Sequence, residues 1–269
     1  MSADILIHTD ANAHAKPATV NVRQRNYFEV HSNKQLSVDE HLRIQRAFIA
    51  LVELACSRRM TSVLIEVFHL HDLALLPDKK TRYHNWRKVL THEFGSKKYL
   101  EQKDAGHRDV FTFSDIRDEG VIKWFHLLED YPSAMYPMIN LFENEDYLTP
   151  EIQILLYGVV IENLEFSLSK KKATFQKYVD WLLDDLRGVV ILHSQERANW
   201  AKGAADAYNG IKHGDHVQMS EQKKGELLYE TKFVLRYWLA MKIGCNELIM
   251  KEHVETHRIE LFEIDSIFC

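Results

Sequence analysis

The sequence has few of the residues that fix a chain by chemistry or punctuation: three cysteines, five prolines and ten glycines among 269 residues. Cys56, Cys245 and Cys269 are odd in number, far apart and in no C-x-x-C pair, which excludes a disulfide framework and a cysteine zinc site and fits the cytoplasm. There is no excess of positive charge. The net charge is −5 and the pI about 6.3, so an anionic partner would have to be held by a local patch. No secretion signal opens the chain, and no uninterrupted apolar run reaches the roughly 18–20 residues that cross a bilayer. The G-x-G-x-x-G and P-loop patterns are missing, so no cofactor is expected.

Histidine and apolar residues are plentiful. The fifteen histidines include the pairs His69/His71 and His213/His216, but none falls in H-E-x-x-H or a finger spacing, and no metal is expected. With 46% hydrophobic residues the chain can fill one large core or two modest ones.

The pattern divides the chain in three. Residues 1–20 are rich in Ala, His and Thr and predict a loose arm. Over 21–148 a small α+β region is expected. Its strands are VRQRNYFEV (22–30), SVLIEVFHL (62–70) and DVFTFSDI (109–116), and a long helix opens on the capping pair Ser37 and Glu40. VIKWFHLLEDY then reads as a helix that the two prolines of YPSAMYP break. Over 149–269 helical spacing dominates, making the fold predominantly α. One helix starts at Pro150 and carries Glu162 and Glu165 on a solvated or ion-paired face. A second is spaced by Phe175, Val179, Leu182, Leu186 and Val189. A third, near 193–212, has a face of small residues and ends at Gly214, and a fourth runs from about 220 to 245. Trp124, Trp181, Trp200 and Trp238 are assigned to the core.

The end of the third helix, AYNGIKHGDH (207–216), joins Tyr208, Asn209, Lys212, His213 and Gly214. This corner resembles the motif of HEPN domains, four-helix bundles marked by an arginine, a following polar residue, and a histidine four to six residues after the arginine. Asn209 and His213 match the motif; Tyr208 stands where the arginine belongs. More widely, residues 27–55 and 111–166 resemble ApeA-like proteins of bacterial abortive infection and phage defence, in which a β-containing region leads into a HEPN bundle. Such proteins usually extend further at the N-terminus.

The resemblance implies metal-independent RNA cleavage to a 2′,3′-cyclic phosphate in a cytoplasmic protein, with RNA, such as tRNA, as partner and a homodimer forming a composite site. It implies His213 as acid–base, Asn209 as orienting residue, Lys212 and Tyr208 at the scissile phosphate, and Arg197, Lys202 and Lys212 as RNA-binding cations. A phenol carries no charge near pH 7, so loss of the arginine should cost roughly 10²–10³ in rate unless another cation replaces it. An inactive HEPN-like module that binds RNA or protein therefore stays open beside the nuclease. So does a purely structural reading, in which Lys212 and His213 complement the helix dipole and Gly214 caps the helix.

Overall fold

A computed structural model describes residues 3–16, 19–32, 36–56, 66–68, 71–75, 77, 80, 82–85, 87–88, 110–189, 194–214 and 219–253, with backbone alone over 3–28, 83–84, 88, 143, 146 and 194–197. Two long strands, β1 (Ala3–Lys16) and β2 (Thr19–Ser32), pair antiparallel in a register running from Ala3 opposite Ser32 to Lys16 opposite Thr19. This corrects the loose arm expected over 1–20. Ile5, Leu6 and Ile7 form a short apolar run with strand-favouring isoleucines, and ladder hydrogen bonds carry the strand on through residues of low strand propensity.

Helix α1 (Val38–Cys56) starts where the sequence places it: the Ser37 amide and hydroxyl donate to Glu40 Oε2 at 2.7 and 2.8 Å. Four short strands follow, β3 (Glu66–Val67), β4 (Leu73–Leu75), β5 (Arg82–His84) and β6 (Arg87–Lys88), with β4 paired to β5 and β3 to β6. Arg87 Nε and Nη2 close this nested turn by donating to Asp72 Oδ2 at 2.9 and 2.8 Å. The strand expected over 62–70 is described only at its centre, and His69 lies outside the described residues.

The strand expected over 109–116 is instead the entry to helix α2 (Phe113–Asp130). Val110 and Phe111 are buried, but Thr112 then caps the helix, its backbone amide donating to Asp115 Oδ2 at 2.6 Å. The capping pair outweighs the β-propensity of the run. The prolines of YPSAMYP act differently from each other. Pro132 occupies the first turn of α3 (Pro132–Asn144), whereas Pro137 sits inside that helix. Without a proline N–H the Ser133 carbonyl lacks its helical donor, and the Asn163 side-chain amide donates to it at 3.2 Å.

Beyond a single 3₁₀ turn (Glu145–Tyr147) come α4 (Pro150–Ser169), α5 (Phe175–Asp185), α6 (Ser194–His213) and α7 (Glu221–Lys242); residues 247–253 are also helical. Among the described residues α4 has the length and, at a mean hydropathy of 1.3, the composition of a membrane span, although Glu162 and Glu165 interrupt its apolar run. It is the central helix of the bundle, packed against α3, α5, α6 and α7. The buried core is continuous: Leu51 and Leu54 of α1, Trp124 of α2 and Met138 of α3 belong to one cluster with Leu164, Leu182 and Trp238. Trp124 and Trp238 are fully buried, while Trp181 and Trp200 are partly so.

Candidate functional site

The corner is built on α6. Small residues at 201, 204, 205 and 207 are buried and let the helix approach its neighbours closely. Gly214 ends it with φ of +71°, a conformation that costs glycine nothing, and its amide bonds the Gly210 carbonyl at 2.9 Å.

Tyr208 faces inward. It is 2% exposed, and its ring lies 4.3 Å from that of Phe175 between ring centroids. Gly158 of α4 makes room for it; a Cβ there would come within 2.1 Å of the ring. The hydroxyl donates to Glu162 Oε2 at 2.7 Å and accepts from Lys212 Nζ at 3.2 Å. Burial, then the Glu162 carboxylate, push the phenol pKa above its ordinary value, so the hydroxyl stays protonated. Tyr208 is thus a core residue with a polar tip. The expectation that it would meet a phosphate directly does not fit this placement.

Lys212 bridges core and surface. Its Nζ lies 3.5 Å from Glu162 Oε2 and 4.9 Å from the centre of the Tyr208 ring. Its pKa is raised, first by the Tyr208 hydrogen bond, so it is a cation across the physiological range. His213 is exposed, and among the described residues it has neither a hydrogen bond nor an ion pair. Asn209, half-buried, lies one turn before His213 on the same side of the helix.

Lys202 is exposed eleven residues before His213, near the same face and roughly 16 Å along the axis. Asp206 is exposed between them on that stripe. Only the backbone of Arg197 is described, in the first turns of α6, and His216 lies outside the described residues. Among the described residues no cluster of three or more His, Cys, Asp or Glu could hold a metal.

Sequence reasoning missed Glu162 as the partner of Tyr208. The legible signal was Gly158, one turn earlier: a glycine inside an apolar helix marks a close approach by another group. Glu165, expected on a solvated or ion-paired face, is 4% exposed. Burial, followed by the Asp185 charge, pushes its pKa up to about 7.

The small residues of α6 thus lead to Tyr208, Asn209, an exposed His213 and a left-handed Gly214 inside a bundle of helices. Residues 143–248 match the family described as Apea-like HEPN, so the chain carries an Apea-like HEPN domain with α4 to α7 wholly inside it. No curated protein and no solved structure matches the chain.

Proposed function

We propose that this HEPN domain acts on RNA at the C-terminal end of α6, as a cytoplasmic, metal-independent endoribonuclease of anti-phage defence that leaves a 2′,3′-cyclic phosphate. His213 takes the 2′-hydroxyl proton as that oxygen bonds phosphorus and the bond to the 5′-oxygen breaks, and the proton then passes to the departing 5′-oxygen; Asn209 orients His213 or a phosphate oxygen, and Lys212 stabilises the charge that builds on the phosphate oxygens. The supporting observation is the exposed imidazole of His213 at the end of α6, one residue after a lysine whose ammonium is held at Tyr208 and Glu162 on the same corner.

Charge is the demanding part of this reading. A helix C-terminus carries a partial negative charge that repels phosphate, so a cation must outweigh it. Lys212 is available because its pair with Glu162 is weak. The two side chains are 41% and 40% exposed, and such pairs contribute about 0–1 kcal/mol, little enough for a phosphodiester to replace the carboxylate. Within one chain the site has no arginine in the motif position. A second copy bringing its own Lys202 and Arg197 towards His213 would supply more charge, which is why a homodimer belongs to the proposal.

One observation favours a second reading. The Tyr208 hydroxyl, Glu162 and Lys212 already satisfy one another, which suits a HEPN-like module that binds RNA or protein without cutting. Incubating the protein with total tRNA in EDTA, beside the His213→Ala variant, separates the two. The nuclease reading expects fragments ending in 2′,3′-cyclic phosphate from the unchanged protein and at least a hundredfold less from the variant. Equal cleavage by both removes His213 from the chemistry, and RNA retention with no fragments from either supports the binding module.

A further inference from the structure

In a chain of net charge −5, three consecutive lysines, Lys170, Lys171 and Lys172, stand where α4 hands over to α5. All three are exposed, and among the described residues none is engaged by a carboxylate. A run of like charges in a flexible loop would only be solvated. This one is held in shape.

Lys170 caps α4 in the left-handed conformation (φ 56°), its amide bonding the Phe166 carbonyl at 2.8 Å. The Tyr178 hydroxyl donates to the Lys171 carbonyl and accepts from the Ala173 amide, each at 3.1 Å. The Ser169 hydroxyl accepts from the Lys171 amide at 3.1 Å. Thr174 then caps α5, accepting from the Lys177 amide, so the segment ends on the positive end of a helix dipole. Holding like charges together in a fixed loop is unfavourable unless an anion relieves it.

The loop leads to the HEPN corner. Phe175, three residues and at most about 10 Å of chain beyond Lys172, is the ring packed on Tyr208, whose hydroxyl is bonded to Lys212. By contrast, the other exit from His213, along the outer stripe of α6, passes the exposed carboxylate of Asp206 before reaching Lys202.

We propose that the α4–α5 loop is the RNA-backbone ledge of this domain, and that a single strand leaving the α6 corner runs over Lys170, Lys171 and Lys172. The proposal rests on the RNA reading above and extends it to a surface outside the HEPN motif. Backbone contacts of this kind carry no base specificity, but they set register and affinity, and they appear in the salt dependence.

The test is fluorescence anisotropy of a labelled single-stranded 2′-O-methyl RNA, which binds but lacks the attacking hydroxyl, across 50–300 mM KCl. The proteins are the unchanged chain, Lys170→Asn/Lys171→Gln/Lys172→Gln, and Lys123→Gln on α2 as a remote control. Asparagine is chosen at 170 because it tolerates the left-handed backbone. Three lost phosphate contacts should lower the slope of log affinity against log salt by about 2 and weaken binding at least tenfold at the low-salt end, with Lys123→Gln unaffected. An unchanged slope in the triple variant overturns the ledge. If the unchanged protein still cuts tRNA, only the ledge has failed. If it binds no RNA at all, both readings fall. If it binds through the lysines but does not cut, the ledge stands and the nuclease does not.

Discussion

At the scale of single residues, one position is decided by a contact that composition cannot show. Alanine is the better helix former, by about 1 kcal/mol over glycine, so Gly158→Ala in the middle of α4 should stabilise the chain if propensity ruled. A Cβ at 158, however, would lie 2.1 Å from Tyr208 Cδ2 and 2.4 Å from Cε2. The ring is pinned by Phe175 on one side and by Glu162 through its hydroxyl, so it has nowhere to retreat without losing one of them. Overpacking of this kind costs about 1–3 kcal/mol, which outweighs the propensity gain. We expect Gly158→Ala to lower the denaturation midpoint in urea. In a Tyr208→Leu background, where the ring is gone, the same change should be neutral or stabilising. Equal destabilisation in both backgrounds would disprove the coupling. The same contact was not legible in sequence: a tyrosine in a motif position can be read for its type, but not for whether its hydroxyl meets solvent or a glutamate 46 residues away.

At the scale of elements, the second half of the chain was legible because its helices bury regular stripes. Phe175, Val179 and Leu182 are buried along α5 as their spacing required, and Leu186 and Val189, expected in the same helix, are buried in the turn that follows it. The first half was less so. Val110 and Phe111 belong to the core as a strand would, and nothing in their side chains announces that Thr112 and Asp115 will turn the next residues into a helix. Proline was similarly ambiguous, since Pro137 breaks a pattern in sequence but is tolerated in α3. That tolerance yields a prediction. Asn163→Ala removes the donor that serves the Ser133 carbonyl and should cost about 0.5–1 kcal/mol, a modest figure because water reaches this exposed site. Pro137→Ala restores a helical N–H for the same carbonyl. In that background the loss of Asn163 should cost little, and thermal melts of the four proteins in the cycle measure the difference. Additive effects would show that Asn163 does not compensate for the proline.

At the scale of the whole molecule, two carboxylates on α4 set opposite limits on stability. Glu151 is paired with Lys224 of α7, and that hydrogen bond holds its pKa down at about 2. It contributes stability above the ordinary carboxylate range that is lost as the pH falls towards 2. Glu165 works the other way. Its neighbours are Asp185 at the end of α5 and Lys242 at the end of α7, and Lys242 is already bonded to Asp185 at 2.7 Å, as is the Trp238 indole N–H at 3.0 Å. Little positive charge is left for Glu165, one of whose carboxyl oxygens is buried without a hydrogen-bond partner, and its pKa stands at about 7 against 4.5 unfolded. Between those values the folded state holds a proton that the unfolded chain has released, so stability falls as the pH rises from 4.5 to 7 and is flat beyond. Allowing for partial solvent screening, the loss is about 1–2 kcal/mol, or about 3–6 °C in Tm for a chain of this size. The molecule should therefore melt higher at pH 5.5 than at pH 8. Glu165→Gln, which keeps the shape and cannot ionise, should raise the pH 8 value and remove most of that difference. If the variant keeps the full difference, the buried carboxyl is not its source. Because Glu165 lies three residues from Glu162 on the helix that supports Tyr208 and Lys212, the same titration should loosen that support above pH 7. On the proposed RNA reading, the affinity of the unchanged protein should then fall between pH 6 and pH 8 more steeply than that of Glu165→Gln.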